Sequence, residues 1–66
     1  MAAVYKFVEL VGTSESSFFD AAKAAVAEGA KTLGPMEWFE VVRETGKIAG
    51  DQVKEFQVTL KVACKL

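Results

Sequence analysis

The sequence predicts an α+β fold: a β-α-β-β chain whose three strands form an antiparallel sheet in the order 1-3-2, with one helix packed on one face. Three observations carry this. The last stretch alternates with period two, placing Phe56, Val58, Leu60, Val62, Cys64 and Leu66 on one side and Glu55, Gln57, Thr59, Lys61, Ala63 and Lys65 on the other. A helical stretch closed by Gly34 and Pro35 separates the first strand from the other two. A right-handed crossover through that helix returns the second strand parallel to the first, and the strongly patterned third strand fits between them.

Val4 to Val11 is rich in β-branched and aromatic residues and reads as the first strand, ending at Gly12. Lys6 and Glu9 fall on opposite faces, as expected of a strand that touches something on both sides. Gly12 to Ser17 reads as a turn and a helix start, with Ser14 as the cap and Glu15 at the positive end of the helix dipole. The helix is expected from about Glu15 to Leu33, where Gly34 supplies the left-handed residue and Pro35 prevents continuation. Phe19, Ala22, Val26 and Leu33 share a stripe with Ala25 and Gly29 beside it, small enough to let the helix lie close to a sheet.

The second strand is expected from Glu37 to about Ile48 and the third from Gln52 to Leu66, joined at Ala49-Gly50-Asp51, where a glycine at the first corner suits a type II′ turn. Folding about that turn sets Val41 opposite Leu60, Phe39 opposite Val62 and Glu40 opposite Lys61, so apolar meets apolar and acid meets base. The same register sets Gln57 opposite Glu44, about 20 Å along the strand from Trp38 at ~3.3 Å per residue. A ligand touching both Trp38 and Gln57 would then draw them from different chains, unless a bulge shifts the pairing. The face away from the helix carries Trp38, Val42, Gln57, Thr59 and Ala63 among charges, and nothing in the chain is left to cover it.

At 66 residues the chain reads as one domain, 1–66, and so short a chain seldom stabilises itself on a single core. Cys64 is the only cysteine and there is no histidine, so neither a disulfide nor a structural zinc site supplies the difference. With 52% apolar residues, oligomerisation is the expected remedy. Eight basic and nine acidic residues are interleaved along the sequence, which leaves no electrostatic footprint for nucleic acid. No apolar run is long enough to span a bilayer, and with a lone cysteine and no export signal the expected compartment is the cytoplasm.

The chemistry of turnover is sparse. Without histidine, and with Cys64 in phase with the core residues, general acid/base and nucleophilic mechanisms lack their usual groups, and the chain is not expected to be an enzyme. The glycines form no phosphate-binding loop. Trp38 on a polar face is a subunit contact, a platform for a flat ligand, or both, and pattern alone favours the contact. Gln57 offers donor and acceptor together and suits a ring displaying both along one edge.

Val8-Glu-Leu-Val-Gly-Thr-Ser-Glu15, Glu37-Trp-Phe-Glu-Val41 and Phe56-Gln-Val58, in this order and spacing, resemble the dodecins, small flavin-binding proteins, along nearly the whole chain. The resemblance implies a β-α-β-β subunit assembled into a hollow homododecamer that stores and sequesters flavin and quenches its excited state. It further implies paired isoalloxazine rings sandwiched between symmetry-related indoles, with Trp38 as the stacking residue and Gln57 hydrogen-bonding the ring edge. Some relatives carry an arginine at the position of Thr45 that meets a flavin phosphate. A hydroxyl does not replace that charge, so riboflavin is expected over FMN, with Arg43 and Lys47 as the residues able to compensate. Archaeal relatives carry a metal-associated aspartate where Arg43 stands, so no metal is expected. Coenzyme A, bound by some members, is the further ligand the resemblance allows, with Lys65 next to Cys64 as the residue to watch. The alternative is an oligomeric shell in which Trp38 serves only assembly or meets another aromatic metabolite.

Overall fold

A computed structural model describes residues 2–66. Its elements are β1 (Tyr5–Ser14), α1 (Phe18–Thr32), β2 (Trp38–Ala49) and β3 (Gln52–Lys65), and the antiparallel sheet has the expected order, β1-β3-β2.

β1 does not stop at Gly12. It pairs with β3 from Tyr5 opposite Lys65 to Ser14 opposite Phe56. Gly12 lies inside the strand because the helix crosses directly over it: a Cβ there would run into the carbonyl oxygen of Ala21 and come within 2.9 Å of the Ala25 Cβ. The strand thus takes up Ser14, and the helix begins later than expected. Its cap is Ser17, extended at φ −168°, whose Oγ accepts from the Asp20 amide at 3.0 Å. Ser14 instead closes a local turn, accepting from the Ser16 amide at 2.9 Å, and Asp20 rather than Glu15 is the acid in the first helical turn. Removing a serine cap costs about 1 kcal/mol. Ser17→Ala is therefore expected to lower stability by about that amount and Ser14→Ala by less, as read from denaturant midpoints at equal protein concentration.

At its other end the helix closes as expected, with the Leu33 amide donating to the Gly29 carbonyl at 2.8 Å and Gly34 left-handed at φ 76°. The buried stripe is displaced from the expected one. Ala21, Ala22, Ala25 and Gly29 face the sheet, and Phe18 packs edge-on against Phe56 at 5.0 Å. Phe19 is 72% exposed. The shift follows from Gly12, since the closest approach of helix to sheet fixes Ala21 and Ala25 as the centre of the contact.

The core joins those alanines to Val58, Leu60, Val62 and Cys64 of β3, with Val8, Leu10, Phe18, Leu33 and Met36 at its margin. α1 covers β1 and β3. β2 lies beyond it, and every residue of β2 is exposed. Between helix and β2 runs an apolar groove of about 320 Å³, bordered by Phe19, Ala22, Val26 and Phe39.

The hairpin turns at Gly50-Asp51. Gly50 has φ 66° and no other residue than a glycine has positive φ among those described, the pattern of type II′ rather than I′. Beyond the last β1 pair, Ser14 opposite Phe56, the hairpin continues as two strands, drawing the molecule out to 53 × 20 × 13 Å.

Candidate functional site

The register of β2 against β3 decides what the helix-free face presents. From Trp38 to Val41 it is as expected: Trp38 lies opposite Ala63, Phe39 opposite Val62, Glu40 opposite Lys61 and Val41 opposite Leu60. It then slips. Val42 has no partner, and Arg43 lies opposite Thr59, Glu44 opposite Val58, Thr45 opposite Gln57 and Lys47 opposite Glu55. A second irregularity, at Lys54 on β3, restores the expected pairing at Ile48 opposite Val53. The expected partner of Gln57, Glu44, is thus replaced by Thr45.

Such a bulge re-aims the side chains that follow it. By simple alternation Arg43, Thr45 and Lys47 would share the helix side with Phe39 and Val41. After the bulge they pair with Thr59, Gln57 and Glu55, which alternate with the buried Val58 and Leu60 and so belong to the other face. Trp38, Arg43, Thr45, Lys47 and Gln57 therefore all lie on the helix-free face.

They form two groups. Around Gln57, the Thr45 hydroxyl donates to Oε1 at 2.8 Å, and Nε2 donates to Glu55 Oε1 at 3.1 Å. At the other end of the strand Trp38 meets two aromatic side chains of β1 across Ala63: Tyr5 lies 4.8 Å away at 65° and Phe7 6.2 Å away at 86°, both edge-to-face. Such pairs are worth about 0.5 to 1.5 kcal/mol beyond burial and fix the position of the indole. It remains 48% exposed. Tyr5 and Phe7 are the residues that sequence reasoning missed, since the strand's two faces looked alike in composition. The signal was their spacing of two within a strand flanking β3. Thr59 and Ala63, expected on the surface, are buried at 6% and 0% exposure because they sit on the central strand between larger side chains of β1 and β2.

The bulge does not bring the two groups together. Along β3, Ala63 opposite Trp38 and Gln57 opposite Thr45 remain about 20 Å apart at ~3.3 Å per residue. Lys65 is exposed at the end of β3, opposite Tyr5, while Cys64 is buried in the core. Among the described residues no group of histidine, cysteine and carboxylates gathers with the geometry to hold a metal, and no helix is long and apolar enough to cross a membrane.

Residues 4–66 match the family model for dodecin. The chain belongs to the dodecin family. It is 50% identical over 66 residues to a dodecin of Thermus thermophilus, covering 100% of this chain and 96% of that one. Its fold superposes on the solved structure of a dodecin from Streptomyces coelicolor with a TM-score of 0.92 at 38% identity, covering 97% of this chain and 91% of the other. A dodecin from Streptomyces davaonensis gives 0.93 at 32% identity, covering 100% and 97%. The resemblance to dodecins carried by the three short motifs thus extends over the whole fold.

Proposed function

We propose that this chain stores and sequesters flavin as a hollow homododecamer, with each ring stacked on Trp38 and hydrogen-bonded at its edge by Gln57. The observation that carries the reading is the separation of two suitable groups on one uncovered face. A half-exposed indole and an oriented amide lie too far apart in one chain to grip one ring, so the site draws on neighbouring subunits. The exposed apolar residues support assembly: Phe19 and Phe39 at the groove, and Val41 and Ile48 farther along β2, have no cover within the subunit. An electron-rich indole in contact with the ring deactivates its excited state by electron transfer, which accounts for photoprotective quenching without turnover.

Riboflavin is the favoured ligand over FMN. Thr45 carries no charge for a phosphate, and its hydroxyl is engaged by Gln57. Arg43 and Lys47, on the same face, are the cations within reach of a phosphorylated tail. Lys65 is the residue through which coenzyme A would be met. We place the protein in the cytoplasm and expect no nucleic acid or membrane as partner.

Titrating riboflavin with the purified protein tests this directly. The yellow-green emission is expected to fall to a plateau near one flavin per chain, with the protein sedimenting as one large species. Undiminished emission at micromolar protein removes the flavin reading in favour of a shell in which Trp38 serves assembly alone.

A further inference from the structure

We propose, on the basis of that flavin reading, that Thr45 and Glu55 are positioning residues that fix the direction of the Gln57 amide and so decide which edge of a ring it accepts. An amide has two lone pairs on oxygen and two N–H groups on nitrogen, and nothing in its shape says which end is which. Its neighbours say so here. A carboxylate only accepts, so the end of Gln57 that faces Glu55 at 3.1 Å must be the nitrogen. The oxygen then faces Thr45, whose hydroxyl, able to give or take, has to donate at 2.8 Å.

One lone pair and one N–H remain, side by side and of fixed order. They match a ligand edge on which a ring N–H adjoins a carbonyl oxygen, the arrangement of the imide of isoalloxazine, where N3–H lies between two carbonyls. With the amide reversed, N–H would confront N–H unless the ring slid along its edge and away from its stacking position. The relay exists because of the bulge at Val42, which sets Thr45 rather than Glu44 across from Gln57. Lys47 stands opposite Glu55 on the same face. Thr45 therefore has a role of its own, holding the reader of the ring in place.

The test measures binding of riboflavin and of its N3-methyl analogue to the native protein and to Thr45→Val, Thr45→Ser and Glu55→Gln. The native protein is expected to prefer riboflavin about tenfold, the cost of leaving an acceptor without its donor. Thr45→Val keeps the β-branched shape and removes the hydroxyl. It should weaken riboflavin about tenfold and erase most of the preference over the methylated ring, while Thr45→Ser restores both. Glu55→Gln, which both gives and accepts, should erase the preference in the same way. Flavin still bound to any of these variants should stay dark, because Trp38 is untouched. If the native protein discriminates and Thr45→Val and Glu55→Gln discriminate equally well, the inference is overturned and the flavin reading stands. If the native protein takes up no riboflavin, both fall.

Discussion

Gly12→Ala is expected to lower the stability of the subunit by about 3 kcal/mol, the upper end of the usual cost of overpacking a core. The added carbon has nowhere to go. It would press on the carbonyl oxygen of Ala21 and lie 2.9 Å from the Ala25 Cβ, and neither the helix backbone nor a methyl fixed to it can rotate away. To make room the helix must lift off β1 and β3, which opens the contact that buries Ala21, Ala25, Val58 and Leu60. For a small domain, whose total stability is on the order of 5 kcal/mol at the lower end of the range, such a loss is a large fraction. Gly29→Ala is the control. A Cβ there would come within 3.0 Å of Leu10 Cδ1 and 3.3 Å of Met36 Sδ, both ends of flexible side chains. The helix would gain about 1 kcal/mol from losing its glycine, so a change near zero is expected. Urea midpoints at one fixed protein concentration separate the two variants. Equal losses would show that the close crossing at Gly12 is not what holds the helix down.

The second large effect is optical. Trp38→Ala should weaken flavin binding by about tenfold for each 1.4 kcal/mol of stacking lost, and flavin that still binds should recover its emission, apart from quenching by a stacked partner ring. Gln57→Ala deletes hydrogen bonds with a net worth of about 0.5 to 1.5 kcal/mol each. It too should bind more weakly, yet its bound flavin should remain dark, because the indole still packs against Tyr5 and Phe7. A glutamine variant that glows beside a tryptophan variant that does not would reverse these assignments and return Trp38 to the interface.

Much of the fold is legible in the sequence. The uninterrupted alternation of β3 marked the central strand. Gly34 and Gly50 marked the two places where the chain turns left-handed, and pairing apolar with apolar across the hairpin gave the right register at both of its ends. The middle was not legible, for a physical reason. Val41 and Val42 are both apolar, and Arg43 to Lys47 hold no large apolar side chain, so no hydrophobic penalty in the sequence distinguishes one pairing from its neighbour by one residue. The Gln57 relay was hidden with it. Gly12 misled for another reason: a glycine that allows a close crossing looks the same in sequence as one that ends a strand. The exposed Phe19 and half-buried Phe18 followed from that crossing, since an alanine-rich helix offers more than one small-residue stripe.

The two bulges stand on opposite strands, one extra residue each, and so cancel over the length of the hairpin. Between them the pairing runs one step out of frame, like a passage of text read between an insertion and its compensating insertion. Losing one residue from a strand ordinarily turns every side chain beyond it to the wrong face. Val42 is the exception, because it has no partner to lose: its deletion would leave Arg43 across from Thr59 and Thr45 across from Gln57, and would change the local twist of the ribbon instead. The loss of Glu44 or Thr45, by contrast, would close the bulge with Val42 across from Thr59 and Arg43 across from Val58, turning that charge toward the helix side.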